Sequence, residues 1–374
     1  MLSCARMPQP ISKKVLILCA HRPRRSPSQR YRFEQYLSFL ETQGFAFTFS
    51  NLLNEKDDVL FYSKGKFVAK LFILLKCTWI RFKDMLRYKH FHIIFIQREA
   101  HFLGTSYFEK KAFHSGAKVI FDFDDSIWLA DTSPGNQKWE WIKSPKKFYS
   151  NAKHAHQVLA GNTYLLEQTL KVNPNSILAP TTIDTSLHVP KHELRHKAVI
   201  CIGWSGSLST LKHFELLIPL LKRVKEKYGD KVRFKLMGEK TFSHPELEIE
   251  SVAWTEKSEV EQLNSFDIGL MPLQDDAWAR GKCGLKGLSY MACEVPVVMS
   301  AVGVNKEIVQ HGENGFLAKS EADWLQALSL LIEDKALRLK LGQAARETVV
   351  QHYSVERYKN TYLQAFQNAK ASRQ

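Results

Sequence analysis

Residues 280–307 read RGKCGLKGLSYMACEVPVVMSAVGVNKE, from Arg280 to Glu307. A turn containing Gly281, Lys282, Gly284 and Lys286 leads into a short apolar helix. The run Pro296-Val297-Val298-Met299 that follows suits a strand covered on both faces. The first amides of a helix have no intrahelical acceptor, and the helix dipole favours an anion beside them. Lys282 and Lys286 are four residues apart and share a face once the helix has begun. The stretch therefore reads as a site for a phosphate-bearing ligand at the carboxyl edge of an open α/β sheet.

Apolar runs of strand length recur on both sides of it. Val15–Ala20, Phe45–Phe49, His92–Gln97, Lys118–Phe121, Gln157–Ala160 and Ser176–Ala179 alternate with helical patterns. After a polar linker, Pro190–His196, the series restarts with Ala198–Gly203, Lys231–Met237, Glu248–Ala253, Asp267–Met271 and Val295–Met299. The region from Ser320 to Ala371 is helical, with Ser354 as N-cap of the last helix. The chain is thus expected to be α/β, with two Rossmann-like doubly wound domains facing a central cleft. The first covers residues 1–188 and the second 189–352, and a helix over 353–374 packs back on the first.

The 374 residues carry a net charge of +15. Residues 1–150 hold 25 Lys/Arg against 13 Asp/Glu, so the excess belongs to the first half and calls for an acidic partner there. Lys64–Lys89 is rich in both aromatic and basic residues, with Asp84 as its single acid. It is either a core-packing helix with a solvated basic face or a surface helix that docks on anionic lipid. Nucleic acid is disfavoured, because no recognised binding motif accompanies the charge. The six cysteines (Cys4, Cys19, Cys77, Cys201, Cys283 and Cys293) form no CxxC pair and read as small buried residues in a reducing compartment. Met1–Met7 lacks an apolar signal core, and no uncharged stretch reaches the roughly 18 residues of a membrane span. A cytoplasmic location is expected, peripheral on the inner face of the membrane.

Three further constellations carry chemistry. Gly203-Trp204-Ser205-Gly206-Ser207, with Lys212, lies between a strand and a helix and is either a phosphate-cradling loop or an ordinary turn. Asp122, Asp124 and Asp125 end a strand; they coordinate metal, bind sugar hydroxyls, act as a base, or pair with a neighbour such as Arg98. The loop His21–Arg32, with Arg22, Arg24, Arg25, Arg30 and Arg32, is either solvated or a clamp for an anionic second substrate. The fourteen histidines show no trusted metal-ligand spacing.

These residues together resemble the retaining family-4 glycosyltransferases of GT-B fold, in a branch from bacterial surface-polysaccharide gene sets. The resemblance rests on Gly281–Cys293, Pro296–Val298, Gly303–Glu307 with Gly312–Leu317, the hinge piece Pro180–Asp184, Asp267–Pro272, and Tyr353–Arg357. In the first lobe, Phe121–Trp128 (FDFDDSIW) points to the branch. The family's paired glutamates are replaced by Gly281 and Ser289, and its arginine after the first strand of this lobe is Trp204. The resemblance implies a nucleotide-diphosphate sugar held by Gly203, Ser205, Gly206, Ser207, Lys212, Lys282, Gly284, Lys286 and Ser289. Asp124, Asp125 and Lys286 are the implied catalytic residues, and Arg30, Arg32 and Arg98 the acceptor contacts. It further implies transfer to a glycan or lipid-linked acceptor with retention, with no metal and no cofactor. A nucleotide-sugar epimerase of the same fold and a non-catalytic nucleotide-sugar binder are the alternatives.

Overall fold

The computed structural model describes residues 12–129, 144–194 and 198–368. Met1–Met7, Cys4, the end of the linker and residues 369–374 of the expected C-terminal helix lie outside them. The first lobe is built on β1 (Lys13–Cys19), β2 (Phe45–Asn51), β3 (Ile93–Gln97), β4 (Lys118–Phe123), β5 (Gln157–Ala160) and β6 (Ser176–Leu178). All neighbours are parallel, in the order β2-β1-β3-β4-β5-β6. The second lobe holds β7 (Ile200–Ser205), β8 (Val232–Gly238), β9 (Glu250–Ala253), β10 (Ile268–Met271), β11 (Val297–Ser300) and β12 (Phe316–Ala318). Its order is β12-β11-β10-β7-β8-β9, again parallel throughout.

The central strands are apolar along their whole length because helices cover both faces. In β3 and β4, Ile93–Ile96 and Val119–Phe121 are all buried. β12 is absent from the sequence-based expectation, since three residues carry too little pattern to detect. Each sheet reverses its winding once, between β1 and β3 and between β7 and β10, which opens a crevice at the carboxyl ends of those strands. The loops after β3 and β4 on one side, and after β7 and β10 on the other, face that crevice.

The helix Val355–Asn368 returns to the first lobe. Tyr362 stacks on Tyr36 at 4.0 Å between ring centroids, and Phe366 packs against Phe45 and Phe95. Ser354 Oγ accepts from the Arg357 amide at 3.2 Å, so it caps this helix.

Candidate active site

Asp122, the penultimate residue of β4, is fully buried and pairs with the equally buried Arg32. Arg32 also donates to the Ala179 carbonyl, tying β4 to the chain after β6. Burial pushes the Asp122 carboxyl above its ordinary value against the pull of Arg32. Arg32, expected to contact the acceptor, is therefore a core tie and does not reach the cleft.

Two residues on, the chain enters the crevice. Arg98 Nε donates to Asp124 Oδ1 at 2.8 Å, and Arg98 Nη2 lies 3.5 Å from Asp125 Oδ2. Arg98 occupies the left-handed region (φ +60°), an unfavourable conformation for a side chain of this size, and its amide binds the Asp122 carbonyl at 2.7 Å. From the opposite lobe, Lys282 Nζ reaches Asp125 at 2.9 and 3.2 Å. Asp125 thus sits between a cation of each lobe.

The loop after Arg280 is held against the first lobe by several short contacts. Asn162 Nδ2 donates to the Arg280 and Lys282 carbonyls at 3.1 and 2.9 Å, and Ser126 Oγ donates to the Ala277 carbonyl at 3.3 Å. A Cβ at Gly281 would lie 2.1 Å from Ser126 Oγ and 2.8 Å from the Ser126 amide, so no side chain fits there in this arrangement. Gly284 has φ +71° and forms the N-cap of the helix Leu285–Ala292. A β-carbon would strain that backbone and meet Ile308 Cδ1 at 2.3 Å.

The lysines of this stretch converge with residues of another helix. Lys286 is half-buried, with its ammonium 5.2 Å from the centre of the Trp204 ring, and Lys282 lies 4.9 Å from that of Trp278. Burial brings the Lys286 ammonium down to about 7; Lys282 adds to the effect and Asp125 opposes it. Burial, then Lys286, Lys212 and Lys282, bring His213 down to about 4 against the pull of Asp276. His213 and the exposed Lys212 follow one another on the helix Leu211–Glu215. The result is a cluster of four bases in which burial, and to a lesser degree the neighbouring lysines, lowers the proton affinity of Lys286 and His213. A polyanion reverses that balance.

The loop after β7 departs from expectation. The Ser205 amide donates to Tyr290 Oη at 2.7 Å, Ser205 Oγ lies 2.8 Å from the same oxygen, and the Gly206 amide donates to the Met237 carbonyl at 2.9 Å. Neither amide is open to a phosphate. Ser207 is exposed and its hydroxyl faces Ser209 at 2.9 Å. Gly203 is a packing glycine, since a Cβ there would meet the Phe266 ring at 2.2 Å. The Ser289 hydroxyl donates back to the Leu285 carbonyl at 2.8 Å and the residue is buried, so in this state its proton is not open to a ribose. Arg30 pairs with Glu259 of the second lobe at 2.6 Å, close to the Tyr31 and Trp254 rings, and so braces the two lobes.

Sequence reasoning missed His213, Tyr290, Asn162 and Ser126. His213 had one signal, its place beside Lys212; the other three act through contacts between distant segments. A separate cavity of about 580 Å³ lies between the lobes, lined by Asn162, Thr163, Glu307, Glu347, His352 and Arg357 among others. Asp125, Lys282 and Lys286 do not line it.

Comparison with known proteins adds to this geometry. Residues 199–334 match the family model described as glycosyl transferases group 1. An N-acetyl-alpha-D-glucosaminyl L-malate synthase of Bacillus anthracis is 37% identical over 84 residues, 21% of each chain. A D-inositol 3-phosphate glycosyltransferase of Pseudarthrobacter chlorophenolicus is 35% identical over 81 residues, 21% of this chain and 18% of the relative. The match thus spans about a fifth of the length of these curated relatives. Among solved structures, sucrose-phosphate synthase from Thermosynechococcus elongatus superposes with a TM-score of 0.69 at 14% identity, over 95% of this chain and 98% of that one. Anabaena HepE in complex with UDP and glucose gives 0.66 at 14% identity, over 95% and 99%. The chain therefore has the GT-B fold, and its second lobe matches the group 1 glycosyl transferases.

Proposed function

We propose that this chain is a retaining glycosyltransferase that moves a sugar from a nucleotide-diphosphate sugar to a glycan or lipid-linked acceptor. The cluster of Lys212, His213, Lys282 and Lys286 at the carboxyl edge of the second sheet carries this reading. In transfer the bond between the anomeric carbon and the diphosphate oxygen breaks, and its electron pair leaves with the diphosphate. Lys282 and Lys286 stabilise that developing charge as preorganised cations. The acceptor binds against Asp124, Asp125 and Arg98; its hydroxyl oxygen forms the new bond to the same face of the sugar, and the hydroxyl proton passes to the departing diphosphate oxygen. Asp125 links the two halves, since it already touches Lys282 across the cleft. The lysines supply the positive charge at the diphosphate, and the reaction draws on no organic cofactor.

The pathway that fits is assembly of a cell-surface polysaccharide, with the chain at the inner face of the cytoplasmic membrane. No helix among the described residues is long and apolar enough to cross a membrane. The test is a thermal-shift screen of nucleotide diphosphates and their sugars, starting with UDP-glucose because Anabaena HepE has been solved with it. A donor at about 100 times its dissociation constant adds about 2.7 kcal/mol. Transfer to a mixed pool of lipid-linked glycans, read by NMR for anomeric configuration, then tests retention. A screen in which no nucleotide stabilises the chain ends the proposal. Isomerised nucleotide sugar without acceptor establishes an epimerase instead. Binding without either reaction establishes a non-catalytic binder, the reading favoured by the closed space at Gly281 and the engaged Ser289 hydroxyl.

A further inference from the structure

The helix Phe67–Arg87 turns its apolar side to the outside. Val68, Phe72, Leu75, Trp79, Phe82 and Leu86 follow one another at spacings of three and four and form one stripe, with exposures from 42% to 75%. The buried side packs only Ile73 and Cys77 against Leu52 and Leu53, and carries charge beside them: Lys70, Arg81 and Asp84 are all within 2% of full burial. Arg81 donates to the Cys19 carbonyl at 3.0 Å, to Ser50 Oγ at 2.8 Å and to Asp84 at 2.9 Å, and it also reaches the Ala100 carbonyl. These anchors set the rotation of the helix. Rolling the apolar stripe inward would unpair a buried arginine and a buried carboxylate, so the stripe stays outside and needs an apolar partner of its own.

The charge around the stripe selects the partner. Lys64, Lys66, Lys76, Lys83, Lys89 and His90 are exposed along and beyond the helix, and Lys83 Nζ lies 3.4 Å over the Trp79 ring. The nearby acid Asp57 is taken by Lys76 at 2.5 Å. A second copy of this face would bring lysine against lysine. An anionic lipid surface satisfies both features, taking the apolar stripe into its acyl boundary and the lysines among its headgroups. At 21 residues the helix is roughly 30 Å long, which suits a helix lying in the plane of the interface. Cys19 and Ser50, two of its anchors, stand at the carboxyl ends of β1 and β2, on the edge of the sheet that faces the crevice.

We propose that the helix Phe67–Arg87 docks this chain flat on an anionic lipid surface, holding the crevice edge of the first lobe beside the lipid. This deepens the membrane part of the function proposed above and rests on that reading only for the acceptor to be used there. Full-length protein is floated with vesicles of phosphatidylcholine alone and with equimolar phosphatidylcholine and phosphatidylglycerol, without nucleotide or acceptor. The wild type is expected to float with the anionic vesicles and to be released by high salt. The triple variant Phe72→Ser, Leu75→Ser, Trp79→Ser, altered only at exposed positions, loses at least about 10-fold in partitioning with its unfolding temperature unchanged. Lys83→Glu combined with Lys89→Glu loses on the order of 10-fold or more while the stripe stays intact. Equal binding to neutral vesicles overturns the proposal, as does a wild type that binds neither. A dimer in sedimentation velocity that the triple variant dissolves, with no vesicle binding, overturns it in favour of a second copy. Flotation needs no nucleotide, so its failure and a failure of the transfer assay are read separately.

Discussion

Replacing Lys286 with methionine tests the charge logic of the proposed donor site most directly. Methionine keeps most of the length of the side chain and removes the charge. The Lys286 ammonium is drawn down to about 7, by burial first and then by Lys282. Without ligand it is therefore about nine-tenths charged at pH 6 and about one-tenth at pH 8. A nucleotide sugar brings a pyrophosphate whose charge does not change over that range, and binding it restores the proton. The affinity of the wild type for UDP-glucose should fall about 10-fold from pH 6 to pH 8. In Lys286→Met that slope vanishes, and at pH 6 affinity drops by roughly 10- to 100-fold, the scale of one charge-assisted hydrogen bond. Titration calorimetry at the two pH values reads both. Stability moves the other way. Unfolded, the lysine holds its proton up to its ordinary 10.5, but folded only below about 7, so between those values the unfolded state binds more protons. Stability of the wild type then rises with pH across that window, and the penalty is fully present below pH 7. The variant lacks it, so without ligand it should melt above the wild type at pH 6, by a margin that shrinks toward pH 10. A wild type whose affinity is flat with pH, or a variant that binds as tightly as the wild type, refutes the assignment.

Arg32→Met strands Asp122 without its partner in the core, and denaturant titration should show a loss of about 3–5 kcal/mol; a loss below about 1 kcal/mol would mean the pair contributes little. Gly281→Ala places a methyl group 2.1 Å from Ser126 Oγ, so it should open the lobes and lower transfer at least about 10-fold, with Ser126→Gly in the same chain restoring part of the loss. Small-angle scattering identical to the wild type would count against this. Asp125→Asn removes the carboxylate between Arg98 and Lys282; UDP-glucose affinity should not weaken, because Lys282 is released to the diphosphate, while transfer falls by about 100-fold. Weaker nucleotide binding in that variant would show that Asp125 supports the donor pocket instead.

The alternation of apolar runs and helical patterns by itself determined the two parallel sheets, because strands covered on both faces must be apolar throughout. Val15–Leu18 and Ile93–Ile96 are legible for that reason, whereas Phe316–Ala318 is too short to register. The glycine-lysine turn before Leu285 was legible too, since a helix entry with paired lysines has a local chemical meaning. Which charges reach the crevice was decided only by tertiary contact. Arg30 and Arg32 stand two apart in one basic loop, yet one braces the lobes through Glu259 and the other is sealed in the core with Asp122. Ser205, Gly206 and Ser289 looked available until Tyr290, Met237 and Leu285 took their hydrogen bonds. The helix Phe67–Arg87 makes the same point. Its pattern told of one apolar and one charged side, but not which faces inward. The pairing of Arg81 with Asp84 and with the ends of β1 and β2 settled that, because a buried charge must keep its partners while an apolar stripe can find another.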